Sequence, residues 1–168
     1  MNIESEGIME YRTNFFRKVV TSIYDIKVFS KYAKEGIFRS ISYAMLLTLI
    51  LVGIKGVSEG YKINSFELKS FMSQIIINFG VNFFQLLFDC LIVVSVALLF
   101  SILMRMVVKY MALYSLTIYA ATLPLIIKVI LETIKPDISF DTMFIVGTLT
   151  YVVLILKDIK DEIIKKFT

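Results

Sequence analysis

The sequence has 168 residues, of which 58% are hydrophobic, and a mean hydropathy of +0.80. These values are typical of one integral membrane domain and not of a soluble protein. With no histidine and one cysteine, we expect no zinc site or other metal site, no cofactor, no histidine acid–base relay and no internal disulfide. The 18 Lys and Arg residues against 14 Asp and Glu make the chain mildly basic, which does not imply nucleic-acid binding.

Apolar side chains recur every three to four residues along 11–34, and the basic side chains lie largely elsewhere. This pattern predicts an amphipathic helix in the membrane interface, with its cations near anionic headgroups of the cytoplasmic leaflet. The alternative, compatible with the first, is that the helix only packs under the bundle as structural cover. The predicted lipid-facing cations are Arg12, Arg17, Lys18, Lys27, Lys31 and Lys34.

Four apolar stretches are each long enough to cross a hydrocarbon core about 30 Å thick as a helix. The predicted spans are 38–54, 83–104, 111–131 and 140–156, and the last helix is expected to continue into a cytoplasmic tail at 157–168. Residues 65–79 also carry apolar side chains at helical spacing. The segment from 71 to 104 is too short for two spans and the turn between them. Residues 65–79 are therefore predicted to form a second interfacial helix in the first outer loop, with the chain bending into the membrane at Gly80.

Three glycines lie at the end of the first span and just after it, at Gly53, Gly56 and Gly60. The spacing of Gly56 and Gly60 fits the small-residue motif of helix dimers in membranes. Glu59 lies within that match, so loop glycines are the favoured interpretation.

Pro124 lies inside the third predicted span. Proline has no amide hydrogen and crowds the carbonyl four residues earlier, so a kink is predicted there. A kink leaves backbone carbonyls in need of partners, and the hydroxyls of Thr117, Tyr119 and Thr122 are the nearest source.

The distribution of cations predicts the orientation of the chain. With four spans, the N-terminal arm, the second loop and the C-terminal tail share one side, and they carry 13 of the 18 Lys and Arg residues. That side is predicted to be the cytoplasm, so both termini are cytoplasmic in a bacterial plasma membrane. Residues 1–35 are too long and polar to begin a signal peptide, so we expect the first span to be retained as an anchor.

Asp89 is the only charged residue between Lys69 and Arg105. A carboxylate in hydrocarbon is costly, by about 2.5 kcal/mol or more, and usually faces the bundle interior and finds a partner. Counting about 1.5 Å per residue from the inner ends of their helices, Asp89 and Lys128 lie at similar depth. The sequence therefore predicts an intramembrane polar cluster of Asp89, Lys128, Thr122, Tyr119 and Gln85.

Within this cluster, Asp89 is expected to pair with Lys128 or to accept a hydrogen bond from Thr122 or Tyr119. Two interpretations of the cluster stay open. The functional one is a proton or cation site at Asp89. The structural one is a buried contact that fixes helix register, with Lys128 extending to the surface instead.

Four short segments carry a resemblance to known proteins: FFRKVVTSIYDIKVF at 15–29, SYAMLL at 42–47, YAATLP at 119–124 and LKDIKDE at 156–162. Together they resemble a group of small Gram-positive bacterial membrane proteins catalogued as a domain of unknown function. The group is similar in layout to the Yip family of multi-span trafficking proteins. Some members are linked to maltodextrin uptake, so the resemblance implies an accessory role beside a sugar importer, and it supplies no catalytic residue.

The predicted fold is an all-α integral membrane protein, a four-span bundle with an N-terminal interfacial helix. No glycine-rich phosphate loop, nucleophile elbow or pair of metal carboxylates is present, so we expect a protein that is not an enzyme. The predicted function is a membrane scaffold or accessory subunit that binds another membrane protein or anionic lipid. The alternative is a small transporter or channel in which Asp89 handles a proton or cation.

Overall fold

The computed structural model describes residues 15–24, 28–32, 35–60 and 68–167. This part of the chain is helical throughout, apart from turns and short connections, and contains no strand. The helices are α1 Phe15–Tyr24, α2 Phe29–Tyr32, α3 Ile37–Gly60, α4 Leu68–Leu103, α5 Tyr110–Ala120, α6 Thr122–Ile134 and α7 Asp141–Phe167. The prediction of an all-helical chain is confirmed.

Three of these helices contain segments long and apolar enough to cross a membrane: Ile37–Val57 in α3, Met72–Leu103 in α4 and Asp141–Lys165 in α7. Helices α5 and α6 pass the same test when taken together, although they are bent by 41° relative to each other. The chain therefore has three candidate spans, or four if the bent pair is one span.

The four longest elements pack around a common core. Helix α3 contacts α4, α5 and α6, while α4 also contacts α5 and α7, and α6 contacts α7. The short helices α1 and α2 both pack against α5, and α1 also touches α6. Small side chains such as Ala44, Ala97, Ala120 and Cys90 are buried among larger ones in this core, and their size lets the helix backbones approach closely.

Helix α4 is continuous over 36 residues, so the prediction of a separate interfacial helix at 65–79 is wrong. Residues 68–79 form the first three turns of the helix that also contains the predicted span 83–104, and 65–67 lie outside the described residues. The predicted bend at Gly80 does not occur either. A glycine inside a helix costs only about 1 kcal/mol relative to alanine, and no proline interrupts the apolar pattern on either side.

The loop-glycine interpretation is also wrong, because α3 continues to Gly60 and includes Gly53 and Gly56. A Cβ atom placed on Gly56 would lie 3.2 Å from Ile75 Cγ1 of α4, whereas one on Gly53 would meet nothing within 4 Å. Gly56 therefore permits the close contact that holds the C-terminal end of α3 against α4.

The bend between α5 and α6 lies at Ala121, one helical turn before Pro124. Backbone hydrogen bonds continue across it, from the amide of Ala121 to the Thr117 carbonyl and from the amide of Leu125 to the Ala121 carbonyl. Pro124 occupies the first turn of α6, where a missing amide hydrogen is tolerated. The side-chain hydroxyl of Thr117 donates to the Leu113 carbonyl, so it does not serve the carbonyls at the bend as expected.

The predicted 11–34 helix is represented by the two short helices α1 and α2, and 11–14, 25–27 and 33–34 lie outside the described residues. Helix α1 turns Lys18 and Ser22 towards the bundle, whereas Phe16 and Tyr24 are largely exposed. A cationic side chain, and not only an apolar face, therefore points into the protein.

Candidate functional site

Five ionisable side chains and one amide side chain, from four helices, meet inside one end of the bundle. We call this group the charged cluster, and its members are Lys55 on α3, Gln85 and Asp89 on α4, Lys128 and Glu132 on α6, and Asp141 on α7. Two pairs have a spacing of four residues, which places both members on one face of their helix. The cluster thus depends on the packing of all four helices.

Asp141 is the principal acceptor of the charged cluster. The Lys128 ammonium donates a hydrogen bond to its Oδ1 atom, and the Gln85 amide donates to the same oxygen at 2.9 Å. The hydroxyl of Ser139 donates to Oδ2 at 2.7 Å. Asp141 is also the first residue of α7, where the helix dipole favours a negative charge.

Glu132 connects the two lysines of the charged cluster. Its Oε2 atom lies 3.1 Å from Lys55 Nζ, and its Oε1 atom lies 3.9 Å from Lys128 Nζ. Helices α3, α6 and α7 are therefore linked by one chain of ion pairs.

Asp89 belongs to the charged cluster by position but forms no ion pair among the described residues. Its side chain is buried, and its Oδ2 atom has no hydrogen-bond partner. The hydroxyl of Thr48 on α3 is buried and has no partner either. Both residues line a cavity of about 20 Å³, together with Gln85 and Lys128. A cavity of that volume holds about one water molecule.

The predicted partners of Asp89 are thus wrong in detail. Lys128 lies beside the same cavity but pairs with Asp141, while Tyr119 and Thr122 belong to a different group of polar side chains. Glu132 and Asp141 were missed because they stand at the ends of predicted spans, where acids are ordinary. Their opposite charge to Lys128 at the same end of the bundle was the signal that could have found them.

A second polar group ties α1 to the rest of the protein, and we call it the amino-terminal cluster: Lys18, Glu35 and Tyr119. The Lys18 ammonium lies 2.5 Å from Glu35 Oε2, and the Tyr119 hydroxyl donates to the same oxygen at 2.6 Å. The ammonium also lies 5.2 Å from the centre of the Tyr119 ring, within cation–π range. Close by, the hydroxyls of Tyr43 and Thr122 are 2.9 Å apart.

This arrangement corrects the prediction that Lys18 faces lipid. Its side chain is buried because an acid on the following segment, Glu35, and two tyrosine rings enclose it. Arg17 is exposed, as a lipid-facing cation would be. Arg12, Lys27 and Lys34 lie outside the described residues, and so does the side chain of Lys31.

Neither cluster resembles a reaction centre. Across the part of the chain that the structure describes, no group of three or more Cys, Asp or Glu side chains could hold a metal ion. Cys90 is buried in the core, and burial in apolar surroundings disfavours the reactive thiolate. What the clusters can do is fix helices to one another and, at Asp89, bind a very small polar species.

Comparison with protein families gave one match, to the family described as "Protein of unknown function (DUF1189)", over residues 68–156. The matched part runs from the start of α4 to the middle of α7 and contains five members of the charged cluster. Comparisons with curated proteins and with solved structures gave no match. Because the matched residues make up more than half of the sequence, the chain belongs to the DUF1189 family, whose function is unknown.

Proposed function

We propose that the chain is a membrane-embedded scaffold or accessory subunit, not an enzyme, and that it binds another integral membrane protein along α4. The observation that carries the proposal is the length of the apolar part of this helix. Met72–Leu103 contains 32 residues, or about 48 Å of helix at 1.5 Å per residue. The hydrocarbon core is only about 30 Å thick.

Tilting does not remove this excess. Transmembrane helices tilt by at most about 40°, and at that angle α4 still spans roughly 37 Å of the membrane normal. The candidate span of α3, Ile37–Val57, has 21 residues and matches the hydrocarbon thickness at about 31 Å. A bilayer whose hydrocarbon thickness matches the apolar length of α3 therefore leaves part of the apolar length of α4 outside the hydrocarbon core.

The contact between Gly56 and Ile75 tells which end of α4 is in excess. It aligns the start of α4 with the C-terminal end of α3, so the surplus lies at the other end of α4. There Leu99, Ile102 and Leu103 are 67%, 69% and 79% exposed, and Val107 in the following turn is fully exposed. We call these four residues the α4 end patch.

An apolar helix of another membrane protein is the occupant that fits the α4 end patch. The patch contains no charged side chain, and the single carboxylate of the apolar stretch, Asp89, is turned into the bundle. Along the chain, Arg105 lies between Leu103 and Val107, and Lys109 follows the patch, so acidic residues or lipid phosphates beside the partner's helix would add attraction. A sugar importer is one such partner, and that choice rests on the family resemblance alone.

The proposed setting is a bacterial plasma membrane. We propose four spans, with α5 and α6 as one broken span, and both termini in the cytoplasm. The cation-rich ends of the predicted spans support this orientation. The exposed Arg17 on α1 would then contact anionic lipid of the cytoplasmic leaflet.

The second candidate is a small transporter or channel, and the unpartnered oxygen of Asp89 beside a cavity is the observation that favours it. Solute pockets usually have volumes of about 300–1,000 Å³. The cavity beside Asp89 is about 20 Å³. A sugar does not fit there, so this candidate is restricted to protons or similarly small species.

The test is photocrosslinking in native membranes, with a photoreactive amino acid at Ile102 and, as the matched control, at Leu154 of α7, which is also exposed. We expect one protein adduct from Ile102 that is absent from Leu154, identified by mass spectrometry. Adducts to lipid alone at both positions, or adducts only within the chain, would overturn the proposal. Proton flux in liposomes that Asp89→Asn abolishes would favour the transporter instead.

A further inference from the structure

The charged cluster has one more acid than it has bases. Its ionisable groups are two lysines and three carboxylic acids, and the ion pairs divide them unevenly. Lys55 is 3.1 Å from Glu132, and Lys128 contacts Asp141 and, more distantly, Glu132. These ion pairs involve Glu132 and Asp141, and Asp89 is the acid of the cluster that forms no ion pair with either lysine.

Asp89 also lies where an unpaired charge is least tolerated. Its side chain is 9% exposed and belongs to the apolar stretch of α4. An unpaired carboxylate in such surroundings costs several kcal/mol, and the usual outcome is that the group becomes neutral. The neutral form requires one proton.

The geometry around Asp89 adds a second, independent observation. Its Oδ2 atom and the Thr48 hydroxyl are both buried without a partner, and both residues line the cavity of about 20 Å³ between α3, α4 and α6. Buried polar atoms are almost always hydrogen-bonded, to protein or to an ordered water. One water molecule fits the volume and would find polar groups on two helices.

We infer that Asp89 is a proton-binding site, in which the neutral carboxyl group and the Thr48 hydroxyl are bridged by one water molecule. The carboxylate takes one proton from solvent, and no other bond changes. The carboxyl O–H or the Thr48 O–H then donates to the water, which donates back to the remaining acceptor. The cluster as a whole becomes electrically neutral, with two ammonium groups and two carboxylates.

The surrounding groups favour a proton over a metal cation. The Lys128 ammonium lines the same cavity and would repel a second positive charge placed there. Glu132 on α6 lines the same cavity, and Asp141 on α7 accepts from Gln85, which precedes Asp89 by one helical turn.

This inference goes beyond the scaffold proposal and does not depend on it. A proton held at Asp89 is compatible with a protein that transports nothing, because binding is not movement. The photocrosslinking experiment can fail while the proton site is confirmed, and the reverse also holds.

The test is infrared spectroscopy of the purified full-length protein in detergent, which separates protonated from ionised carboxyl groups. At neutral pH we expect a protonated-carboxyl band that shifts after ¹³C labelling of aspartate and is lost in Asp89→Asn. The matched control is Asp137→Asn, an exposed aspartate outside the charged cluster, which should keep the band. Thr48→Val should keep it too, but at a shifted frequency, because the bridging water loses one partner.

Two results would overturn the inference. If the labelled wild-type protein lacked the protonated-carboxyl band at neutral pH, Asp89 would be ionised. This result requires only the wild-type protein. If Thr48→Val left the frequency of the band unchanged, no water molecule would bridge Asp89 and Thr48, and only the bound proton would remain of the inference.

Discussion

Lys128 on α6 donates to Asp141, the first residue of α7, and this contact joins the broken helix to the last one across a short connection. Lys128 is almost fully buried, whereas the Asp141 side chain is 43% exposed. The pair therefore reaches from the interior of the bundle towards its surface. Its partners on α3 and α4, through Glu132 and Gln85, extend the link to the whole bundle.

The first prediction compares the two aspartates of the charged cluster. Asp141→Asn should destabilise the protein by about 1–2 kcal/mol, because the buried Lys128 loses its nearest counter-charge and keeps only Glu132 at 3.9 Å and, after loss of its proton, Asp89. The expected loss is below the 3–5 kcal/mol of a fully buried pair, since Asp141 is partly solvated. Asp89→Asn should change stability by less than about 0.5 kcal/mol, because a neutral group replaces a neutral group.

Thermal unfolding in detergent, followed by circular dichroism, measures both variants. Equal losses in the two proteins would mean that Asp89 is ionised and paired, against the inference above.

The second prediction concerns the amino-terminal cluster. Glu35→Gln should loosen α1 from the bundle, because the Lys18 ammonium would remain buried without its carboxylate. At about 3 kcal/mol for a broken buried pair, the amides of α1 should exchange with solvent roughly 100-fold faster. Hydrogen exchange with mass spectrometry resolves this helix from the others.

The control is Glu162→Gln, on α7, which should leave exchange in α1 unchanged. If Glu35→Gln also left it unchanged, α1 would be held by its apolar contacts, such as Phe15 against the Tyr43 ring, and the ion pair would be dispensable.

The sequence predicted the presence of the helices better than the points at which they end or bend. The apolar stretches near 38–54 and 140–156 are long and uniform, and the structure places helices α3 and α7 over them. The loop after Leu103 and the bend near Pro124 are marked by charge or by proline. Gly80, by contrast, predicted a bend that does not exist, because a single glycine weakens a helix without ending it.

The site was predicted in part, and the reason for the failure is geometric. Asp89, Gln85 and Lys128 do lie around one cavity, since helical rise alone gives approximate depth. Tyr119 and Thr122 belong to the same predicted span as Lys128. Their side chains, however, point towards α1 and α3 and not towards the cavity. Which face of a helix meets which neighbour depends on the 41° break and on packing, and neither can be obtained by counting residues.

The third prediction tests the contact between α3 and α4. Gly56→Leu should destabilise the protein by about 1–3 kcal/mol, because the new side chain must displace Ile75. Gly53→Ala, three residues earlier and facing open space, should instead stabilise it by about 0.5–1 kcal/mol through helix propensity. Thermal unfolding of the two variants gives opposite signs if the contact is as described, and the same sign if Gly56 is as free as Gly53.

The last prediction concerns Arg105, which ends α4 with a positive φ of 57°. The amide of Met106 donates to the Ser101 carbonyl, and the amide of Arg105 donates to the Ile102 carbonyl. This pair of hydrogen bonds is the Schellman ending, in which glycine is the usual residue at the left-handed position. A side chain in that conformation costs roughly 1–2 kcal/mol.

Arg105→Gly should therefore raise the stability of the protein by about 1 kcal/mol, the rest being lost to the greater freedom of glycine in the unfolded chain. Lys109→Gly removes a nearby cation where the backbone is extended, with φ at −68°, and should give no gain. If both variants changed unfolding equally, the effect would come from charge at this end of the bundle and not from relief of backbone strain.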